Sequence, residues 1–578
     1  MFPVSFERCV GWLHPAEGAR GIVICGSIGF EDLCGHKSLA ILADRIAEGG
    51  QPVLRFDYHG AGDSIGDEND PDRIAVWKQN IRAAIAYLKD RTGVSEIGLV
   101  GLRLGATLAA EVAAEIGGVE RIALIAPLAT GKAYVRELKA LSRVIGATNE
   151  EPAPGEMIVA GFRMSAQTVA DLGKLEPALI AASPAPRVLA TGREPLAVHP
   201  VVTRLTALGC DVATEIFDGY DAMMCDPTAS KTPDSALSRI ANWMVDGAAR
   251  EGARPVRCVP VGLAGEDFVE SPIRFGKGHE LAGVYCRSGS GTPRQAVIIL
   301  NAGAIHHVGW ARGSVELARR LAASGVASLR IDVGGLGDSF AAPSGASGSL
   351  YAPELAGDIS AAIDWLETQC IRDVSVMGSC SGAFQAFHAA VADARVKRLA
   401  LVNQVCFVWN ATYQLQFSAW RATKSTVVSA ALEDEIQAAE DASRMFNRLM
   451  PVAKKFAKGS LNALMSLSQK ASSGLGDSNM VEGWLETLAA RGVKVAMIYS
   501  DHDPGLADLE RWFGPKGERA TTLPGVEMHT LMDADHMLTS RTARQELGTL
   551  LFGLLGVEER IRTTEPVAVP VQSESIAA

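Results

Sequence analysis

No C-x-x-C pair occurs in this sequence. Its ten cysteines are scattered along 578 residues, which excludes zinc-ribbon spacing and a small disulfide scaffold and fits a reducing compartment. No uncharged apolar run reaches the length that crosses a bilayer. The first residues, Met1-Phe2-Pro3-Val4-Ser5-Phe6-Glu7-Arg8, lack a basic segment followed by an apolar stretch. No signal peptide is therefore expected, and the expected location is the cytoplasm. Positive charge is not in excess either: the net charge of −11 disfavours nonspecific nucleic-acid binding. No metal-ligand cluster is visible, so neither metal nor cofactor is expected. What remains is an ordinary globular balance, 48% hydrophobic and 21% charged, with ample core for about two to four domains.

The chain is one unit written twice. Arg55-Phe56-Asp57-Tyr58-His59-Gly60-Ala61-Gly62-Asp63-Ser64 returns as Arg330-Ile331-Asp332-Val333-Gly334-Gly335-Leu336-Gly337-Asp338-Ser339, with Asp57 and Asp332 275 positions apart. Gly101-Leu102-Arg103-Leu104-Gly105-Ala106 returns as Gly378-Ser379-Cys380-Ser381-Gly382-Ala383, offset by 277. Thr191-Gly192-Arg193-Glu194-Pro195 returns as Ser500-Asp501-His502-Asp503-Pro504, offset by 309, so the second copy holds an insertion after Cys380. Short apolar runs (296–300, 327–331, 374–377, 398–402 and 493–499) alternate with helical patterns such as 314–323 and 353–368. This alternation predicts an α/β fold, a mostly parallel sheet with helices on both faces. A hairpin is predicted around Gly276-Lys277-Gly278, and the breaker-rich stretch 246–255 marks the boundary.

Cys380 follows an apolar run read as a strand and precedes one read as a helix. A nucleophile on such a sharp turn needs neighbours without bulky side chains, which Gly378 and Gly382 supply. A cysteine there attacks carbonyls as a thiolate and passes through a thioester. It needs a base, and the base needs an orienting acid. Asp503 after the late strand, with Asp501 as competitor, and His536 in Met532-Asp533-Ala534-Asp535-His536 come in that chain order. The plain alternatives are that Asp503 only caps the following helix and that His536 is an ordinary surface or core histidine.

With these motifs both halves resemble the α/β-hydrolase family, in which the nucleophile, acid and histidine follow in this order. The first half is also similar to hydrolase-like proteins encoded with bacterial polysaccharide or acyl-carrier gene clusters. The resemblance implies two tandem α/β-hydrolase domains: 1–250, without a triad, and 251–558, with a helical lid at about 408–485. A disordered tail, 559–578, is expected to follow. It implies an oxyanion hole from the Ser381 amide plus Gly303 or Ala304. His306, His307 and Arg312 stand near that loop as candidates for substrate binding. Cysteine elbows in this family resemble those of dienelactone hydrolases and polyhydroxyalkanoate synthases.

In the first copy the nucleophile position is Arg103, the acid position Glu194, and no histidine occupies the last position, Phe217–Met224. Arginine cannot serve as an acyl nucleophile. A scaffold, an anion-binding module and a different chemistry all stay open, with an Arg103–Glu194 or Arg103–Asp221 ion pair expected for the scaffold.

In the lid Trp409, Tyr413, Phe417 and Trp420 form one helical stripe. It reads either as core or as the wall of an acyl pocket, with Trp409 and Tyr413 as substrate contacts. An acidic group (Glu433, Asp434, Glu435, Glu440, Asp441) precedes a basic one (Arg444, Arg448, Lys454, Lys455, Lys458, Lys470). The basic segment is a candidate dock for an acyl-carrier protein, coenzyme A or an anionic lipid surface, against the plain reading of a solvated helix face. The expected function is hydrolysis of an ester or thioester through acyl-Cys380. Acyl transfer to an amine or alcohol and a non-catalytic scaffold are the alternatives.

Overall fold

The computed structural model describes residues 1–145, 150–256, 262–340, 350–410, 413–415 and 479–560. Two large sheets organise them. The first contains β1 (Phe2–Phe6), β2 (Cys9–His14), β3 (Arg20–Cys25), β4 (Val53–Phe56), β5 (Glu96–Leu102) and β6 (Arg121–Ile125). After a short hairpin, β7 (Met157–Val159) and β8 (Phe162–Met164), it is completed by β9 (Arg187–Gly192) and β10 (Asp211–Ile216). Its order is β1-β2-β4-β3-β5-β6-β9-β10, parallel from β4 onward and antiparallel at β1 and β2.

The second sheet contains β11 (Leu263–Ala264), β12 (Val269–Phe275), β13 (Leu281–Arg287), β14 (Gln295–Ile299) and β15 (Ala327–Asp332). It continues with β16 (Asp373–Ser379), β17 (Val396–Val402), β18 (Lys494–Ser500) and β19 (Val526–Leu531). The order is β11-β12-β13-β15-β14-β16-β17-β18-β19, which repeats the first with one added edge strand. The central parallel strands are buried on both faces, as their continuous Val, Ile, Leu and Ala runs require, while the edge strands β10 and β19 are partly or largely exposed. Helices such as Gly29–Glu48 and Arg73–Thr92 in the first half, and Gly313–Ala323 and Ala356–Thr368 in the second, cover them.

The two halves meet through the repeated Asp-x-x-Gly-x-Gly-Asp-Ser turns, and they exchange partners. Arg55 donates to Asp338 at 2.7 Å and Arg330 donates to Asp63 at 3.0 Å. His36 Nε2 lies 3.2 Å from Asp338 and His307 Nε2 lies 2.7 Å from Asp63. Each aspartate is fixed within its own turn, Asp63 N–H on Asp57 and Asp338 N–H on Asp332, both at 2.9 Å. The reciprocity is that of an isologous dimer interface built into one chain. Gly62 and Gly337 sit at φ +50 and +45, and a Cβ on either would collide with the carboxylate of Asp57 or Asp332.

Of the expected lid, residues 416–478 lie outside the described residues, and with them Phe417, Trp420 and the acidic and basic segments. Most of the tail, 561–578, lies outside them too, while Glu559 pairs with Arg320 at 2.7 Å. Among the described residues no helix is long and apolar enough to cross a membrane.

Candidate active site

Cys380 stands between β16 and helix Ser381–Ala392 at φ 56 and ψ −117. A non-glycine residue in this region is strained, and the close packing of its neighbours holds it there. A Cβ on Gly382 would meet the Asn301 carbonyl oxygen, and one on Gly378 would meet that of Gly382. The thiol is half-buried at the start of a helix.

His536 Nδ1 is 2.6 Å from Asp503 Oδ2, and Cys380 acts electrostatically on the same imidazole. The Asp503 side chain is fully buried and its other oxygen accepts the Gly505 N–H at 2.7 Å. It therefore shapes the turn after β18 and meets the histidine as well. Among the described residues the Asp501 carboxylate reaches only His502, at 3.7 Å. Burial by itself pushes the His536 imidazole down, but Asp503 first and Cys380 next outweigh it and hold it well above 6.5.

Asn403, a residue the sequence did not single out, clamps this corner. Its amide donates to the His536 carbonyl at 2.9 Å and to Ser500 Oγ at 3.0 Å, and its oxygen accepts the Ser500 N–H at 2.7 Å. Tyr351 is a second addition, with its hydroxyl 3.8 Å from Cys380 Sγ. Its ring stacks on Trp409 at 4.0 Å and meets Phe384 edge-on at 5.3 Å. Trp409 thus reaches the surroundings of Cys380 through Tyr351. Tyr413 is turned to Asp508, to which its hydroxyl donates at 2.6 Å.

The remaining expected residues divide. The Gly303 N–H donates to Ser381 Oγ at 3.0 Å, so in this arrangement it is not directed at a substrate. Ser381 and Ala304 flank the same corner. His306, His307 and Arg312 lie instead at the junction between the halves, which corrects their reading as substrate contacts. His307 bridges Asp332 at 2.8 Å and Asp63 at 2.7 Å, and Arg312 donates to the carbonyls of Gly62 at 2.7 Å and Gly66 at 2.9 Å. Burial alone pushes the His307 imidazole down, but the two carboxylates hold it well above 6.5. These partners come from a segment some 250 positions away, which the spacing around the loop could not reveal.

Arg103 has the backbone of Cys380, at φ 55 and ψ −117. Its partners are not Glu194 or Asp221. Arg103 Nε donates to Glu31 at 2.8 Å and Nη2 to Glu137. Glu31 also accepts from Ser27 at 2.6 Å and Tyr134 at 2.8 Å, while Asp221 pairs with Arg193 at 2.8 Å.

The family model described as serine aminopeptidase, S33, matches residues 22–184, within the first half. No curated protein matches the sequence. Among solved structures, Est1E from Butyrivibrio proteoclasticus with ferulic acid bound is 17% identical, with a TM-score of 0.32 over 43% of this chain and 97% of its own. The Pyrococcus furiosus esterase Pf2001 is 14% identical, with a TM-score of 0.31 over 52% of this chain and 90% of its own. A dienelactone hydrolase from Anabaena variabilis is 12% identical, with a TM-score of 0.30 over 51% and 97%. Strand order and family match agree on an α/β-hydrolase fold, the match itself covering residues 22–184 of the first half.

Proposed function

We propose that the second half hydrolyses an ester or thioester through an acyl-cysteine intermediate on Cys380. The reading is carried by one observation: the 2.6 Å pair of Asp503 and His536, whose imidazole also feels the charge of Cys380 on its strained turn. The thiolate attacks the carbonyl carbon, and the oxyanion draws on the amides of Ser381 and Ala304. The imidazolium gives its proton to the leaving group as the tetrahedral centre collapses. Neutral His536 then takes a proton from water, whose oxygen attacks the thioester carbonyl. The C–S bond breaks and the acid leaves, which restores the Cys380 thiolate beside the protonated His536. Tyr351 and Trp409 form an aromatic wall beside the reacting sulfur, which suits an apolar or planar acyl group.

The first half acts in this reading as a scaffold. Its Arg103 is already neutralised by Glu31 and Glu137, which supports packing over capture of a substrate anion.

Intact mass after brief exposure to acyl thioesters and activated esters tests the proposal. A transient acyl adduct and released acid in the native protein, both absent in Cys380→Ala, are expected. An adduct discharged by amines or alcohols but stable to water replaces hydrolysis with acyl transfer. Turnover that survives Cys380→Ala overturns the reading.

A further inference from the structure

The loop after β14 and the loop after β19 complete the candidate site, and both are held from the first half. The β7–β8 hairpin turns through Ala160 and Gly161, with Val159 opposite Phe162 and both turn residues at positive φ, 50 and 85. Two such residues form the turn that closes the tightest hairpins. The tip touches both loops. The Ala160 carbonyl accepts the Trp310 indole N–H at 2.6 Å, and Trp310 closes the loop that carries Gly303 and Ala304. Gly161 lies against Thr539, which follows His536 by three residues. A Cβ on Gly161 would stand 2.6 Å from the Thr539 carbonyl oxygen.

Contacts beside the tip extend this hold. On the first loop, Ile305, Trp310 and Ala311 are buried in the core of the first half, and Trp310 lies 6.0 Å from Phe30. A Cβ on Gly303 would stand 2.5 Å from the Thr228 side chain. On the second loop, Glu150 accepts from Ser540 Oγ at 2.9 Å and from the Thr542 N–H at 3.1 Å, and Met537 packs against the same core. Arg163 of β8 pairs with Glu150 and fixes it in turn. The second half adds its own hold, Asn403 on the His536 carbonyl and Arg544 on that of Thr539 at 2.6 Å. The Thr539 carbonyl is thus bonded by its own half and covered by Gly161 of the other. A catalytic side chain must be held to within about 0.5 Å, which a loop achieves only when neighbouring elements fix it.

We infer that the Ala160-Gly161 tip and Glu150 are positioning elements for the active site of the second half. The first half sets the spacing between the loop that supplies the Ala304 amide and the loop that supplies His536. Gly161 and Glu150 act through Thr539 and Ser540, and their effect on rate rests on the acyl-cysteine reading above. A copy without a triad of its own thereby keeps a part in the reaction.

Gly161→Ala in the full chain tests this, with Gly155→Ala as control. Both glycines have φ +85, so the two variants carry the same backbone strain. The Cβ at 161 presses on Thr539, whereas the Cβ at 155 meets Ala166 of the first half. Amide hydrogen exchange in segments 302–310 and 532–540 is read beside steady-state kinetics on an ester that acylates Cys380. In Gly161→Ala, exchange in both segments should rise about tenfold or more. Its kcat should fall by about 100-fold with KM little changed. Gly155→Ala should match the native protein in both readouts. Glu150→Ala should lower kcat by about tenfold and Glu150→Gln, which keeps an oxygen for Ser540 and Thr542, should restore it. This second pair decides the matter if Gly161→Ala folds poorly. Unchanged exchange or unchanged kcat in Gly161→Ala, or equal losses in Gly155→Ala, overturns the inference. Exchange does not depend on turnover. Loosening confined to Gly161→Ala in a protein that hydrolyses no ester would reject the acyl-cysteine reading and keep the hold on the two loops.

Discussion

Cys380 and Arg103 share a backbone conformation to within a degree, φ 56 and 55 with ψ −117 in both, yet only one is surrounded for nucleophilic attack. The difference lies in the partners. Cys380 faces an imidazole backed by a carboxylate, whereas Arg103 faces two glutamates. The charge on His536 is held up chiefly by Asp503 against the cost of burial. In Asp503→Asn that support is removed, so the imidazole titrates at lower pH. In the proposed mechanism a protonated His536 releases the leaving group, so the alkaline limb of kcat/KM should move to lower pH in this variant. The maximum rate should fall by about 100-fold or more. A pH–rate profile of both proteins measures this, and an unmoved alkaline limb would separate Asp503 from the chemistry. Arg103→Ala makes the opposite prediction. It leaves Glu31 buried without its cation, which should cost about 3 kcal/mol in denaturant unfolding. Acylation of Cys380 should be unchanged in the fraction that remains folded.

At the scale of elements, the corner formed by the ends of β17, β18 and β19 holds the histidine loop. Asn403 at the end of β17 joins Ser500 at the end of β18 to the backbone of His536. Asn403→Ala frees that loop without touching any reacting atom. A displacement of about 1 Å at a general base costs about 100-fold in rate. We expect kcat to fall by that order with KM little changed, read from steady-state kinetics on any ester that acylates Cys380. The strands themselves were legible from apolar runs: those read at 296–300, 374–377 and 398–402 lie within a residue or two of β14, β16 and β17. The strand-to-helix turn at Cys380 was legible because it rests on local turn chemistry. Asn403 and Tyr351 were not, since neither has a periodic or spacing signal and each acts through residues brought close only by folding. His306, His307 and Arg312 were placed in the right loop but given the wrong neighbours. A loop between β14 and the next helix can face its own active site or the other half, and no local pattern separates the two.

For the whole molecule the decisive feature is that the most buried charges lie between the halves. Asp63, Arg330, Glu270, His307, Asp332, Asp338 and Arg55 form a connected set, with Arg330 and Asp332 fully buried. Breaking such a set by removing one member costs about 3–5 kcal/mol, because the remaining charge stays buried without its partner. The set also gives stability a particular pH dependence. Despite the cost of burial, the His307 imidazolium and nearby cations hold Asp63 and Asp332 below the usual carboxylate range. Their contribution is complete above the unfolded value of about 3.9 and is lost as pH falls through the depressed folded values. His307 runs the other way: its folded value is raised above 6.5, so its contribution is complete below about 6.5 and is lost as pH rises through the raised value. The junction is therefore strongest between about pH 4 and 6.5 and weakens first on the alkaline side. His307→Gln keeps hydrogen-bonding capacity but cannot carry the charge. Its Tm should lie well below that of the native protein between pH 5 and 6.5, and the gap should narrow as the native His307 loses its proton. Thermal unfolding of both proteins across this range measures the gap, and a constant difference from pH 5 to pH 10 would mean that His307 is held neutral between its two carboxylates.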